Sequence, residues 1–314
     1  MPLSDYVNTL GQVMLKDYGQ RVHKIAINAG FTCPNRDGTK GTGGCTFCNN
    51  ASFNPNAHTP DPVADQVANA RQVIAKRTRA VKFIAYFQAY TNTYAEVQQL
   101  DKLYRQALAE TDVVGLSVGT RPDSVPEPVL ELLAGYQDEG YDVWLELGLQ
   151  SSHQQTLDRV NRGHDLDDYL DAMRRAAKHN LRVCTHLIFG LPGEQRQQWV
   201  ESALATVAAG TTGLKLHPLH VVKGTALANN WRQGEHPPLA MQEYIEAVVD
   251  VLEQVPEDMI FHRLTGTAQH NLLLAPDWCS KKWIVLNGIE AEIRQRNSYQ
   301  GRLAAPRVPV AAGA

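Results

Sequence analysis

The segment Val113-Val114-Gly115-Leu116-Ser117-Val118-Gly119-Thr120, followed by Arg121-Pro122-Asp123, decides the fold class. It is apolar at nearly every position, rich in β-branched residues, and closed by a turn signal. A half-buried strand alternates apolar and polar residues, whereas a strand apolar nearly throughout fits a parallel sheet covered on both faces. Working outward, runs of the same kind occupy residues 21–28, 81–88, 142–150, 182–190 and 213–222. Helical periodicity fills the intervals near 61–78, 95–110, 126–139, 165–179 and 196–209, and again near 239–254 after the last strand. Helix-start signals stand at Pro60-Asp61-Pro62, Asp123-Ser124-Val125-Pro126 and Gly163-His164-Asp165. Six strand–helix units in series predict an α/β fold, a partial parallel (βα)6 barrel with right-handed crossovers. The expected organisation is an N-terminal extension at 1–20, the barrel at 21–256 and a short C-terminal cap at 257–302. The cap has a strand near 259–264 and a helix near 280–296, and a disordered tail follows at 303–314.

Composition narrows the class. The chain has 314 residues, 43% hydrophobic and 20% charged, which excludes collagen, coiled coil and wholesale disorder. No run nears the roughly 18 apolar residues of a membrane span, and Met1-Pro2-Leu3-Ser4-Asp5 lacks the basic and apolar regions of a signal peptide. A cytoplasmic location with no membrane partner is therefore expected. The net charge of −3 creates no global field toward polyanions. Its distribution is uneven, because residues 261–314 hold seven basic side chains against three acidic ones and the middle of the chain is acidic. Basic ends fit either a polyanion surface or scattered solvated charges.

Five cysteines, an odd number, argue against a disulfide framework. Three of them share one loop directly after the first strand, running from Cys33-Pro34-Asn35-Arg36-Asp37-Gly38 to Gly43-Gly44-Cys45-Thr46-Phe47-Cys48. Chemistry in strand–helix folds gathers at the C-terminal ends of strands, where this loop lies. Gln88, Thr120-Arg121, Gln150 and Gly190-Leu191-Pro192-Gly193 end other strands. Thiolates suit zinc or an iron–sulfur cluster. Structural zinc needs a fourth ligand from His23, His58, Cys184 or Cys279. A [4Fe–4S] cluster on three thiolates instead leaves one iron open.

The remaining candidates each carry two readings. Glu146 is the lone acid of an otherwise apolar strand, so it faces a polar pocket or pairs with a cation inside the barrel. Lys215 and His217 share one strand face, and Lys223 beside Gly224 suits a phosphate. His217 and His220 suit substrate contacts better than a metal, since no carboxylate stands beside them. His186 alone reads as a hydrogen-bonded core histidine. Trp278, Lys281, Lys282 and Trp283 either stack bases and hold phosphates or pack the cap onto the barrel.

The Cys-x-x-Cys ending with an aromatic before the last cysteine resembles the radical S-adenosylmethionine (SAM) superfamily. Eleven residues separate Cys33 from Cys45, longer than the superfamily's usual spacing, and the whole loop is similar to the YhcC family. Bacillar relatives of that family include the tRNA-modifying protein MnmL. Thr120-Arg121-Pro122-Asp123 and Arg162-Gly163-His164 are similar to segments of the Elp3 family, and the resemblance is to its radical SAM domain without the acyltransferase domain.

The resemblance implies a [4Fe–4S] cluster on Cys33, Cys45 and Cys48 and SAM as second cofactor. It implies cofactor contacts from Phe47, Gln88, Tyr90, Glu146, Gln150, Arg162, His164 and Leu191. Arg121, His217 and Lys223 are the candidates for catalysis or substrate contact. The implied activity is reductive cleavage of SAM to a 5'-deoxyadenosyl radical, with an electron donor such as flavodoxin or ferredoxin. The implied substrate is a tRNA wobble uridine side chain. The alternatives are a small, tetrapyrrole-like substrate or a non-enzymatic zinc-bound RNA-binding scaffold.

Overall fold

The computed structural model describes residues 2–52 and 61–305. Among these, seven strands form one sheet in which every neighbouring pair is parallel. Six run in chain order: β1 (Val22–Ile27), β2 (Lys82–Phe87), β3 (Val113–Thr120), β4 (Asp142–Gln150), β5 (Arg182–Phe189) and β6 (Gly213–Pro218). A two-residue strand, β7 (Val221–Val222), leaves the sheet, and the seventh place is taken by β8 (Ile260–Arg263). The sheet curls into a half-barrel.

Helices cover its outer face. An N-terminal helix α1 (Leu10–Tyr18) precedes β1. The crossovers carry α2 (Val63–Thr78), α3 (Val97–Leu108), α4 (Glu127–Asp138), the pair α5 (Gln154–Arg159) and α6 (Leu166–Lys178), then α7 (Arg196–Ala208). After β6 come α8 (Ala226–Arg232) and α9 (Met241–Gln254), and after β8 come β9 (Leu273–Ala275) and α10 (Lys282–Gln295). In α6, Tyr169, Ala172, Met173 and Ala176 recur at helical spacing and are buried, while the Asp165 carboxylate caps the amide of Asp168.

Strand periodicity sorts the two faces of the sheet. Leu145, Leu147 and Leu149 of β4 join the hydrophobic core under the helices, together with Leu116 and Val118 of β3 and Leu214 and Leu216 of β6. The intervening residues point inward, and there Glu146, Gly148, Gln150, His186, Lys215 and His217 border a cavity. The strands that read as apolar throughout thus carry a polar minority on one face.

The structure changes three expectations. The strand expected over 213–222 is two: the β5–β6 ladder ends at Pro218, which has no N–H to give, with the Leu219 amide on the Phe189 carbonyl at 2.9 Å as its last bond. β7 pairs instead with β9, antiparallel, in a separate small sheet. The strand assigned to a cap is β8, parallel to β6, which makes the half-barrel seven-stranded rather than six-stranded. The N-terminal segment is also built into the barrel, since Thr9 bridges Phe261 and α1 packs against both edge strands, β1 and β8. Of the tail expected to be disordered, residues 306–314 lie outside the described residues.

Gly115 of β3 pairs with Asp142 of β4 with no room for a side chain. A Cβ there would fall on the Asp142 carbonyl oxygen and within 2.8 Å of the Asp142 side chain. Gly115→Ala is expected to lower the unfolding free energy by about 2 kcal/mol, read as a shift of the urea midpoint at constant slope.

Candidate active site

The loop after β1 is pinned in place by its own backbone and by the chain after α5. The Cys33 carbonyl accepts from the amides of Arg36 and Asp37 at 2.8 and 3.2 Å, and the Cys48 amide donates to the Cys45 carbonyl at 3.0 Å. Gly43 and Gly44 take φ of 79° and 78°, and a Cβ on Gly44 would press on the Arg36 side chain. Arg36 Nη2 in turn donates to the Cys48 carbonyl at 2.6 Å. Across the gap, Asn35 Nδ2 donates to the Asn161 carbonyl at 2.6 Å and Asn161 Nδ2 to the Gly44 carbonyl at 2.9 Å. These bonds bring Cys33, Cys45 and Cys48 to the wall of one cavity of about 240 Å3 at the C-terminal ends of the strands.

Three soft donors on one wall fit a thiolate-held cluster, and the surrounding charges agree. Arg162 Nη1 lies 3.5 Å from Cys45 Sγ, and Arg162 Nε is buried with no partner among the described residues. That leaves an unsatisfied cationic donor beside the thiols, the complement of an anionic centre. Burial and the neighbouring Cys45 push the Cys48 thiol up, while Arg36 and Arg162 oppose them. Of the ligands considered for zinc, His23, Cys184 and Cys279 do not border this cavity, and His58 lies outside the described residues. Glu146, Cys184 and His186 do bring ligand atoms within 4.8 Å of one another, but two lysine ammoniums already hold the carboxylate.

Glu146 is fully buried and organises the interior. Its carboxylate accepts from Lys24 Nζ at 2.5 Å, Ser117 Oγ at 2.6 Å, His186 Nε2 at 2.7 Å and Lys215 Nζ. Burial alone would raise its pKa, but Lys215 and Lys24 hold it well below the usual carboxylate range. Burial pulls Lys215 down to about 8 against the attraction of Glu146. It also lowers His186 and His220 to about 4 and His217 well below its ordinary value, so all three are neutral at pH 7. The Lys215 ammonium stands 4.1 Å from the centre of the Tyr86 ring.

Among the residues singled out from sequence, the three cysteines, Phe47, Gln88, Tyr90, Arg121, Glu146, Gln150, Arg162 and His217 border this cavity. Tyr90 and Gln150 adopt positive φ of 62° and 79°, sparsely populated for side-chain-bearing residues. Three candidates lie elsewhere. His164 is held between the carbonyls of Gly148 and Asp165 at 3.2 and 3.1 Å. Leu191 packs in a satellite apolar cluster with Val160, Leu219 and Leu227. Lys223 is exposed, and its backbone joins Leu272 and Asn49.

Arg121 borders the cavity but is spent on structure. It grips Asp123 with Nε and Nη2 at 2.8 and 2.9 Å and donates to the Arg162 and Gly163 carbonyls. The two cap tryptophans part ways: Trp278 donates to the Leu239 carbonyl inside the core, whereas Trp283 is 71% exposed beside Lys282. Sequence reading missed Lys24, His262 and the cavity position of Arg263 and Tyr86. Lys24 alternates with the buried Ile25 and Ile27, a signal a period-two count of β1 contains.

Residues 32–205 match the Radical SAM superfamily, and residues 211–295 match the Radical_SAM C-terminal domain. The chain belongs to the radical SAM superfamily. Within it the chain falls in the YhcC family. It is 43% identical to the protein YhcC of Escherichia coli (strain K12), covering 98% of this chain and 99% of that one. It is 40% identical to YtqA of Bacillus subtilis (strain 168), covering 94% and 92%. The archaeal Methanocaldococcus infernus Elp3 shares the fold, with a TM-score of 0.68 at 17% identity over 89% of this chain and 64% of that one.

In this radical SAM protein the interior network sets a pH signature. The Glu146 contribution is present above its unfolded pKa and is lost only as pH falls through its depressed native value. The Lys215 penalty is full below about 8 and is relieved as pH rises toward its unfolded value. Glu146→Gln removes the shared counter-charge and is expected to cost about 3 kcal/mol at neutral pH. Its stability should then climb with pH from a lower starting point than in the wild type, as Lys215 loses its proton more readily. Urea unfolding across a pH series checks both expectations.

Proposed function

We propose that this protein is a radical SAM enzyme that modifies the side chain of a tRNA wobble uridine. The observation that carries the reading is one shared cavity. It bears Cys33, Cys45 and Cys48 together with an interior wall of Glu146, His186, Lys215, His217 and Arg263. A [4Fe–4S] cluster on the three cysteines would supply the electron that cleaves SAM to a 5'-deoxyadenosyl radical. The chain's own part is to bind, orient and exclude water. Arg162 offers charge to the thiolates, and Gln88, Tyr90 and Gln150 offer amide and carbonyl groups on the same wall. The neutral histidines and the Glu146–lysine network keep the interior polar but ordered, as a site controlling a reactive species requires.

The tRNA reading is supported by the likeness to Elp3 segments and by the exposed Trp283 flanked by Lys281 and Lys282, a stacking and phosphate-binding combination. An electron donor of the flavodoxin or ferredoxin class belongs to this reading.

Anaerobic reconstitution with iron and sulfide, followed by SAM and dithionite, is expected to yield 5'-deoxyadenosine, and Cys48→Ala is expected to abolish it. A colourless protein with stoichiometric zinc and no SAM cleavage would overturn the enzymatic reading in favour of a scaffold. The purified protein is expected to bind tRNA at low salt with an affinity that falls steeply as salt rises. An absence of tRNA affinity at low salt would redirect the substrate to a small, tetrapyrrole-like molecule.

A further inference from the structure

The fixed charges inside the half-barrel do not balance. Glu146 is the one acid bordering the cavity among the described residues, and it is shared between Lys24 and Lys215. Arg263, the last residue of β8, adds a third cation directly beside Lys215 in the β6–β8 register. Its guanidinium borders the cavity and has no hydrogen-bond or ion-pair partner among the described residues. Five donors with no acceptor, in a partly buried polar cleft, are costly to maintain.

The side chains around Arg263 offer donors rather than counter-charge. His217 and His220 border the same cavity, and the His220 ring is hydrogen-bonded to the Gly266 backbone, which leaves His217 as the imidazole facing Arg263 with a donor to give. Burial and then Arg263 itself depress His217, which keeps that imidazole neutral and able to donate. Gly266 lies against both rings, since a Cβ there would fall 2.6 Å from His217 Nδ1 and 3.5 Å from the His220 ring. The arrangement is a cation beside the neutral His217 imidazole, whose one N–H is a donor, which matches a compact oxyanion accepting charge-assisted hydrogen bonds.

We propose that Arg263 and His217 form an anion subsite on the β6–β8 wall that takes a compact oxyanion, a carboxylate or a phosphate, of the group presented for reaction. The oxyanion's role as part of a substrate rests on the radical SAM reading of the cavity. Binding of the anion does not require SAM cleavage. The subsite makes Arg263 a residue that selects substrates by charge.

The test is calorimetric titration of the iron–sulfur-reconstituted protein with acetate, with inorganic phosphate and with SAM, in the wild type, Arg263→Gln and Arg263→Lys. The wild type is expected to bind one of the two anions about tenfold or more tightly than Arg263→Gln, with Arg263→Lys between them. Preference for acetate assigns a carboxylate, and preference for phosphate assigns a phosphate group. Thermal melts of the three proteins separate lost binding from lost folding, and the lysine variant keeps the test open if the glutamine variant is unstable. Equal anion affinity in all three proteins, or no anion binding by the wild type, overturns the subsite. Loss of SAM affinity in Arg263→Gln also overturns it, by assigning the guanidinium to the cofactor. A wild type that binds the anion through Arg263 yet cleaves no SAM would sink the radical reading and leave the subsite standing.

Discussion

Inside the curled sheet, the Glu146 carboxylate is shared by Lys24 of β1, Ser117 of β3, His186 of β5 and Lys215 of β6, while His262 of β8 stands 3.8 Å away. The rest of the interior depends on this one group. An unpaired carboxylate there would be neutralised or expelled, and unpaired lysines would repel one another, so the strands that carry them are drawn around a common centre. Lys24 Nζ also meets His262 Nδ1 at 3.1 Å, which joins the first and last strands of the sheet from within. Outside the same gap, α1 packs on both edge strands, so the open side of the half-barrel is closed twice.

This inner closure and the outer core are consequences of one periodicity. Every second residue of a strand faces the helices, and there Leu145, Leu147 and Leu149 bury apolar area that drives folding. The alternate residues face inward, where removal from water strengthens each electrostatic contact and makes each unmatched charge expensive. The polar interior is therefore a cost supported by the apolar exterior. Its unmatched elements, Arg162 Nε near the cysteines and Arg263 on the far strands, stand where a bound group would satisfy them.

The rim is assembled by exchange between loops. The cysteine loop bonds to Val160 and Asn161 after α5, and Arg121 after β3 bonds to the Arg162 and Gly163 carbonyls. Arg162, thus placed, reaches both Cys45 and the Gly148 carbonyl. Arg121 and His164 stand in family-like segments, but they build this rim rather than offer free groups to a ligand. A motif match gives a residue's neighbourhood, and only its hydrogen-bond partners show what it has left to donate.

Strand and helix order, the parallel sheet and the gathering of three cysteines at the strand ends were all legible in the sequence. They follow from local periodicity, turn residues and the spacing of three thiols, each of which acts over a few residues. The place of β8 was not, because four residues with one buried apolar side chain, Phe261, carry too short a pattern to tell a seventh barrel strand from a cap. The partners of Glu146 were not either, since Lys24 and Lys215 lie 122 and 69 positions away along the chain. By itself the sequence determined that three thiols and a lone interior acid exist on a parallel strand–helix chain. The tertiary structure decided which cations meet that acid and which one, Arg263, has no partner among the described residues, because charge pairing depends on distances that only the curled sheet sets.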